Sequence, residues 1–411
     1  MPQEKDNVLV LGLGLSGYAA ADLALHRGAA VTVLDGADSA VLRDRAAALE
    51  RRGAEVRLEW NEDVCGDRPD MAVISPGIPP QSLLGRLAAR LECPVLSELE
   101  FGFRHCSCPV LAVTGTNGKT TTAELLTHCL RHMGRKVLAA GNIGTALSEV
   151  ALRSAFVDFL VVEVSSFQLE HTERFAPLAA AILNLTPDHL DRYADFGAYC
   201  RTKTRLFANV RHASRIVIRE DVGHLPAVQQ ALPEDDSEPV CFSGRESLFA
   251  DFFLAEEGSL CHRTPDGIAR LLSADQLRLA GRHNLENVLA ALALCQAAGL
   301  SPERAARAVP SFAPSSHRME LVTVRDQVRY VNDSKATNPD ALLRSIEAVD
   351  ETTPGAVLLI AGGLDKGLDF APVTPMLTRS VRDVFLIGRC REMLANEWKH
   401  VVSCKIFASL A

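Results

Sequence analysis

The feature that most constrains the fold of this chain is a short glycine loop at residues 114–121, with the sequence TGTNGKTT. An apolar run at 110–113 leads into it, and a helical pattern leaves it with one apolar face: Leu125, Leu126, Cys129, Leu130 and Met133. A strand, a glycine loop, a Lys-Thr pair and a helix form the arrangement that binds nucleotide phosphates, because backbone N–H groups and the helix N-terminus face the anion. The alternative is an ordinary glycine-rich turn before a helix.

Length and composition favour a soluble protein of two or three domains. The chain has 411 residues, of which 47% are hydrophobic and 23% charged. Its net charge of −8 argues against a nucleic-acid partner. We expect no membrane partner and a cytoplasmic location, because no apolar run reaches membrane-spanning length and residues 1–7 have no signal core. The 11 cysteines lack paired metal spacing, which is typical of reduced thiols.

The N-terminal segment matches a dinucleotide-binding pattern. A strand at 8–11 precedes the turn GLGLSG at 12–17, and a second strand at 31–34 ends at Asp35. A dehydrogenase is therefore a competing hypothesis, although the same turn can bind any ligand with a diphosphate. The turn could also be a tight connection between strand and helix that binds no ligand. A further strand at 71–74 ends in Ser75-Pro76-Gly77, either at a ligand-binding sheet edge or as plain turn chemistry.

The middle of the chain carries candidate metal ligands. Glu163 ends an apolar strand, where a carboxylate needs a cation, either Mg²⁺ or a Lys or Arg partner. His189 follows another apolar strand and by itself resembles a surface or capping histidine. Lys203 by itself is a solvated lysine, and Asn284 could simply cap a helix.

The last third alternates strands and helices, which predicts a third parallel sheet. Lys335 and Lys366 both follow strands, at the edge where a cleft would form. Either could instead be a solvated loop lysine.

Together these segments resemble the Mur ligases of peptidoglycan synthesis, in order and over nearly the whole chain. The segments are 115–120 (GTNGKT), 163–169 (EVSSFQL), 184–192 (NLTPDHLDR), 281–284 (GRHN), 317–320 (HRME) and 332–338 (NDSKATN). Segments 12–17, 75–78 and 165–170 are most similar to the members that add D-glutamate to UDP-N-acetylmuramoyl-L-alanine.

The resemblance implies an α/β fold of three domains and a monomer. These are a Rossmann-like UDP-substrate domain at 1–107, a central P-loop ATPase-type domain at 108–312 and a Rossmann-like ligase domain at 313–411. It also implies the reaction: ATP phosphorylates the alanyl carboxylate, and the amine of D-glutamate attacks the acyl phosphate.

Site residues follow from the resemblance, motif by motif. ATP would be bound by Gly115, Thr116, Asn117, Gly118, Lys119, Thr120, Thr121, Asn284, Asn287, Arg318 and Asp333. Two Mg²⁺ ions would be held by Thr120, Glu163, His189 and Lys203, with Lys203 carbamylated so that it offers oxygen atoms. Catalytic roles would fall to Lys119, Glu163, His189, Lys203, Lys335 and Lys366. The UDP-sugar would be held by Leu15, Ser16, Asp35, Ser75, Pro76, Gly77 and Asn142, and D-glutamate by Thr337 and Lys366.

One departure concerns the end of the chain. The family continues into a Ser-Pro-Ala segment that grips D-glutamate, whereas this sequence stops before it. We expect an incomplete third domain with an unpaired sheet edge. A ligase-like protein that binds nucleotide without turnover is therefore an alternative, beside the dehydrogenase and a folate- or cyanophycin-type amide ligase.

Overall fold

The chain folds into three α/β units that follow one another along the sequence. The computed structural model describes residues 6–61, 68–277, 279, 281–351, 354–364 and 367–409. Each sheet lies inside one of the three predicted domain ranges, so the three-domain α/β fold is as expected. No helix within the described ranges is both long enough and apolar enough to cross a bilayer.

The first unit is a doubly wound parallel sheet. Its strands are β1 (Asn7–Leu11), β2 (Ala30–Leu34), β3 (Glu55–Arg57), β4 (Met71–Ile74) and β5 (Val95–Ser97). Its helices are α1 (Leu15–His26), α2 (Ala40–Glu50), α3 (Leu83–Arg90) and α4 (Glu98–Phe103). The strand order β3-β2-β1-β4-β5 places the turn after β1 at the switch point, where ligands bind in such sheets.

The second unit is built on a nine-stranded sheet. Its strands are β6 (Val110–Thr114), β7 (Val137–Gly141), β8 (Phe159–Glu163), β9 (Ala179–Ile182), β10 (Ile216–Arg219), β11 (Val240–Ser243), β12 (Phe252–Leu254), β13 (Ser259–Thr264) and β14 (Gly267–Ser273). The order is β14-β13-β12-β11-β10-β9-β6-β8-β7. Neighbours from β7 to β12 are parallel, whereas β13 and β14 pair antiparallel, so the carboxyl ends of β6, β8 and β9 meet at one edge.

Helices cover both faces of this sheet. They are α5 (Lys119–His132), α6 (Leu147–Val150), α7 (Ser166–Leu169), α8 (Phe196–Thr204), α9 (Pro226–Gln229), α10 (Arg282–Ala297) and α11 (Pro302–Ala306). Helix α10 is apolar almost all round and lies in the core against α5, as expected for such a helix. Its Leu289 and Leu292 are fully buried, and each stabilises the fold by roughly 1.5–3 kcal/mol. This packing fixes the polar residues at the start of α10.

The third unit contains a hairpin and a small parallel sheet. Its elements are β15 (Glu320–Arg325), β16 (Val328–Asn332), α12 (Pro339–Asp350), β17 (Val357–Gly363), α13 (Thr374–Ser380), β18 (Val381–Gly388), α14 (Arg391–Trp398) and β19 (Ser403–Ile406). The hairpin joins β15 to β16, and the sheet has the order β17-β18-β19. Its core is formed around the fully buried Trp398 and Leu377. Strand β17 lies at one edge of this sheet, with Leu358 and Ile360 more than half exposed.

Candidate functional site

The glycine loop at 114–121 joins β6 to α5, as the sequence predicts. The N–H of Thr116 donates to the carbonyl of Asn184 at 3.0 Å, and the N–H of Asn117 donates to the Asn184 side chain at 2.8 Å. Nζ of Lys119 donates to the carbonyls of Gly115 and Thr116, at 3.0 and 2.9 Å. The loop is thus tied to the end of β9, and its lysine lies over the start of α5.

Gly118 occupies a position that only glycine fits. Its φ is +83°, and a Cβ there would collide with Oδ1 of Asn287 on α10. The same oxygen accepts a 3.3 Å bond from the hydroxyl of Thr122, and Nδ2 of Asn287 donates to Asn284 at 3.2 Å. The two predicted asparagines therefore lie against the phosphate loop, and Asn284 is buried rather than acting as a solvated cap.

Glu163 lies at the end of β8, beside the first turn of α5. It is 2% exposed and accepts hydrogen bonds from two uncharged donors, Thr120 Oγ1 at 2.7 Å and Asn142 Nδ2 at 2.8 Å. Nη2 of Arg318, from the third unit, donates to the Thr120 hydroxyl at 2.7 Å. Carboxylate and hydroxyl oxygens thus meet next to the phosphate loop, and oxygen is the donor that Mg²⁺ prefers.

Lys203 on α8 is buried beneath the same loop. It is 2% exposed, and Nζ donates to the carbonyl of Gly115 at 2.9 Å while lying 4.9 Å from the centre of the Tyr199 ring. Burial holds the pKa of the Lys203 ammonium well below its usual range, and the positive charge of Lys119 lowers it further. The side chain is thus buried with a lowered pKa, contrary to the solvated lysine that its sequence context alone indicates.

His189 follows β9 in a strained backbone conformation. Its φ is +54°, and its N–H donates to Oδ1 of Asp188 at 2.9 Å. The imidazole packs edge-on against Phe167 at 4.7 Å between ring centres, with about a third of the side chain exposed (31%). A left-handed backbone conformation is costly for a residue with a Cβ. Residues held in such a conformation cluster at functional sites.

No group of three or more His, Cys, Asp or Glu side chains gathers as a metal site within the described ranges. A metal at Thr120 and Glu163 would therefore share most of its coordination with phosphate oxygens, as Mg²⁺ does in nucleotide sites.

A cleft lies between the second and third units. Its lining includes Lys335, which is predicted to be catalytic, and the predicted nucleotide-binding positions Asn117, Gly118, Thr121, Asn284, Asn287, Arg318 and Asp333. The side chain of Asp333 accepts the N–H of Met319 at 3.1 Å and is also bonded to the hydroxyl of Ser345. Lys335 is exposed at the rim. One cleft thus brings together residues from both units.

Sequence reasoning missed several residues of this cleft. Arg219 at the end of β10 pairs with Glu286 of α10 at 3.1 Å and with Asp221 at 2.6 Å. His283 lies beside them, and burial lowers the pKa of its imidazole. The sequence does show an arginine at the end of a strand and polar residues around Asn284. Neither pattern has a fixed spacing that predicts a ligand-binding residue.

Besides Arg318, two further side chains of the third unit contact the phosphate loop directly. Nδ2 of Asn117 donates to Oδ2 of Asp340 at 2.8 Å, and Nδ2 of Asn338 donates to Oδ1 of Asn117 at 3.0 Å. The phosphate loop itself therefore forms part of the contact between the second and third units.

The N-terminal glycine turn is held from two sides. Asp35 accepts the N–H of Leu13 at 2.6 Å, and the hydroxyl of Ser75 donates to the carbonyl of Gly12 at 3.1 Å. A Cβ at Gly17 would collide with the carbonyl oxygen of Gly12, so the passage from β1 into α1 requires glycine there. The turn thus brings together Asp35 and Ser75, two of the residues predicted to hold the UDP-sugar, just before α1 begins.

The remaining predicted substrate residues lie on surfaces. Leu15 is 67% exposed at the start of α1, and Gly77 and Thr337 are exposed too. Pro76 is half-buried, and Asn142 is exposed at the end of β7. Lys366 lies outside the described residues, so its predicted role stays a prediction.

The loop carrying Ser75 is also linked to the second unit. Nη1 of Arg192 donates to the carbonyl of Ile78 at 3.2 Å, while its other nitrogens bind both oxygens of Glu170 at 2.8 and 2.5 Å. Such a two-point ion pair fixes the guanidinium in one orientation. Arg192 therefore joins the N-terminal site to the strand end that carries His189.

Two family models match this chain. The Mur ligase middle domain matches residues 113–295, and the Mur ligase, glutamate ligase domain matches residues 317–410. The matched ranges contain both walls of the cleft between the second and third units.

Curated relatives are similar over almost the whole chain. The UDP-N-acetylmuramoylalanine–D-glutamate ligase of Thermoanaerobacter pseudethanolicus is 35% identical over 394 residues, which cover 95% of this chain and 84% of that protein. The ligase of the same name from Desulfosudis oleivorans is 38% identical over 395 residues, covering 96% of this chain and 84% of that protein. Among solved structures, MurF from Acinetobacter baumannii superposes with a TM-score of 0.62 at 16% identity, covering 97% of this chain and 84% of that one, which shows a shared fold.

Proposed function

The chain belongs to the Mur ligase family, and from that membership we propose that it is an ATP-dependent ligase that adds D-glutamate to UDP-N-acetylmuramoyl-L-alanine in peptidoglycan precursor synthesis. The observation that carries the proposal is the cleft in which the phosphate loop faces Arg318 and Asp333 of the third unit. A dehydrogenase would use the N-terminal turn alone and would leave this cleft without a role.

We infer that the reaction passes through an acyl phosphate. A carboxylate is a poor acyl donor, so an oxygen of the alanyl carboxylate first attacks the γ-phosphorus of ATP, and the bond to the bridging oxygen of ADP breaks. The deprotonated amine of D-glutamate then attacks the acyl carbon, and the C–O bond to phosphate breaks. Negative charge develops on phosphoryl oxygens and on a tetrahedral oxyanion, which the ammonium of Lys119 would stabilise.

The residues around Glu163 fit a magnesium ion. The Glu163 carboxylate and the Thr120 hydroxyl are 2.7 Å apart beside the phosphate loop, and both are oxygen donors. When bound there, the metal would neutralise charge on the phosphates. Asn142 and Arg318 would hold these two side chains in place, since Asn142 donates to Glu163 and Arg318 donates to Thr120.

A second magnesium at His189 and Lys203 is a further part of the proposal. The neutral Lys203 amine would attack the carbon of CO₂ and lose a proton, which leaves a carbamate with two oxygen atoms. Support comes from the burial of Lys203 and from its lowered pKa, because only the unprotonated amine reacts. An unmodified amine offers no oxygen, so this metal depends on the carbamate.

The other substrates would lie on either side of this centre. We propose that the UDP moiety binds at the turn held by Asp35 and Ser75, with its diphosphate at the N-terminus of α1. D-Glutamate would enter from the side of Thr337 and Lys366. A cytoplasmic monomer is proposed as well; a reducing compartment agrees with the free thiol of each described cysteine.

The direct test is release of phosphate and ADP from ATP with UDP-N-acetylmuramoyl-L-alanine and different amines. D-Glutamate should support turnover, whereas L-lysine, meso-diaminopimelate and the reaction without an amine should not. Nucleotide binding without release under any of these conditions would instead support the binding protein that does not turn over. NADH binding without ATP binding would support the dehydrogenase.

A further inference from the structure

Asn338 caps the helix that faces the nucleotide cleft. Its side chain is 5% exposed, and Oδ1 accepts the N–H of Ala341 at 2.8 Å, which caps α12. Asparagine is among the best residues at this position. Capping uses one lone pair of Oδ1. The Nδ2 group therefore remains available to donate hydrogen bonds to the second unit.

That Nδ2 group contacts two separate segments of the second unit. It donates to Oδ1 of Asn117 in the phosphate loop at 3.0 Å and to Oδ2 of Asp188 at 3.3 Å. Asn117 returns a 3.4 Å contact from its own Nδ2 to Oδ1 of Asn338. The two amides thus form a reciprocal pair across the boundary between the units.

Asp188 extends the link to the loop that carries His189. Asp188 is 5% exposed, and its other carboxylate oxygen accepts the N–H of His189 at 2.9 Å. A carboxylate that is this deeply buried needs hydrogen-bond donors, because an unsatisfied one is costly. The donor from Asn338 is available to it only while the third unit is docked.

We propose that Asn338 is a positioning residue that couples docking of the third unit to the placement of the phosphate loop and of the 188–189 loop. The inference deepens the proposed function and rests on it. Because one amide group serves both segments, both are fixed in the same event. Nucleotide held in the cleft therefore favours the docked arrangement, and the docked arrangement favours nucleotide, with equal coupling in both directions.

Two substitutions separate this role from the helix cap. Asn338→Asp keeps an N-cap oxygen but lacks the donor and places a second carboxylate against Asp188. Asn338→Ser also keeps a cap and is uncharged, but it is too short to reach Asn117. A matched control is Ser315→Ala, which removes a contact between the same two units, from Ser315 to Glu124, outside the cleft lining.

The experiment titrates the full-length protein with magnesium and AMP-PNP, a non-hydrolysable ATP analogue, by calorimetry. Asn338→Asp should weaken binding by about tenfold or more and Asn338→Ser by a smaller factor, since both lose one neutral and one charge-assisted hydrogen bond and only Asn338→Asp adds a repelling charge. Ser315→Ala should stay within about twofold of the unmodified protein, as expected for an exposed contact. The thermal unfolding midpoint of the uncharged variant Asn338→Ser, which keeps the helix cap, should remain closer to that of the unmodified protein than the midpoint of Asn338→Asp.

Unchanged AMP-PNP affinity in both Asn338 variants would overturn the inference, and so would an unmodified protein that does not bind AMP-PNP.

In the ligase assay the KM for the UDP substrate should not change, because Asn338 contacts no residue of the N-terminal turn, whereas kcat should fall. A purely structural defect would change both constants. If the unmodified protein binds AMP-PNP but shows no turnover with D-glutamate, the proposed function fails. The AMP-PNP affinities of the Asn338 variants and the unmodified protein still decide the role of Asn338.

Discussion

The hydroxyl of Thr120 donates a 2.7 Å hydrogen bond to Oε2 of Glu163, although 43 positions separate them in the chain. Parallel pairing of β6 with β8 brings this about, because the loop that follows β6 lies beside the end of β8. A hydroxyl from the start of α5 and a carboxylate from the end of β8 thus lie together, and both offer oxygen, the donor that Mg²⁺ prefers.

Removing the charge of Glu163 should weaken the response to magnesium. Glu163→Gln keeps the size of the side chain and an acceptor for Thr120, but it removes the negative charge. We expect the magnesium concentration for half-maximal activity to rise by at least about tenfold, since changing even a group that only supports a metal ligand costs about tenfold to a hundredfold. Glu173→Gln is the control, since the Glu173 side chain is 64% exposed and pairs with Arg104. An equal response in both variants would contradict the assignment.

Turnover should require Lys203, because its carbamate is proposed to hold the second magnesium ion. Lys203→Ala should abolish turnover, and short carboxylic acids added to the assay should restore part of it, because the carboxylate of the acid can take the place of the missing carbamate. Lys399→Ala, at an exposed lysine of the third unit, should behave like the unmodified protein. Full activity of Lys203→Ala without added acid would refute the carbamate role.

Lys203 should also make stability depend on pH. Its pKa is lower in the folded than in the unfolded protein, where it is near 10.5, so the unfolded state binds more protons in the range between. The free energy of unfolding of the unmodified protein, relative to Lys203→Met, should therefore rise with pH by up to about 1.4 kcal/mol per pH unit up to the unfolded pKa. Urea unfolding of both proteins in CO₂-free buffers measures this difference. A difference that is constant across the neutral and alkaline range would contradict the lowered pKa.

Gly118 should tolerate alanine less well than a glycine of the same backbone conformation. Gly118 and Gly134 have φ of +83° and +81°, but only at Gly118 would a Cβ meet Asn287, and nothing lies within 4 Å at Gly134. Gly134→Ala should cost about 1–2 kcal/mol of unfolding free energy from backbone strain alone. Gly118→Ala should cost more and should also weaken ATP binding, measured by calorimetry. Equal losses of stability and no change in binding would show that the contact with Asn287 is unimportant.

How far the sequence predicts this site depends on how local each signal is. The strand, loop and helix around Lys119 are contiguous, and Glu163 could be placed at a strand end because an apolar strand ends there. Lys203 gave no such signal: its burial arises only when α8 packs beneath the loop, and its role was suggested by family resemblance. The contact between Asn117 and Asn338 spans 221 positions and depends on how two units dock, which no local pattern encodes.

The N-terminal turn illustrates the same limit. The spacing from Gly12 to Asp35 predicts an acidic residue near a ligand, and the structure places its carboxylate on the backbone N–H of Leu13. Asp35 thus shapes the turn directly. The pattern predicts the position of the carboxylate, whereas the hydrogen bonds it makes follow from packing.

The most direct test of the whole account is to follow oxygen-18 from the alanyl carboxylate of UDP-N-acetylmuramoyl-L-alanine during turnover with ATP and D-glutamate. If an acyl phosphate forms in the cleft, one labelled oxygen must leave with the inorganic phosphate, because the C–O bond to phosphate breaks when the amine attacks. Mass spectrometry of the released phosphate should therefore show one oxygen-18 per phosphate when both carboxylate oxygens are labelled. Unlabelled phosphate together with amide product would contradict the mechanism.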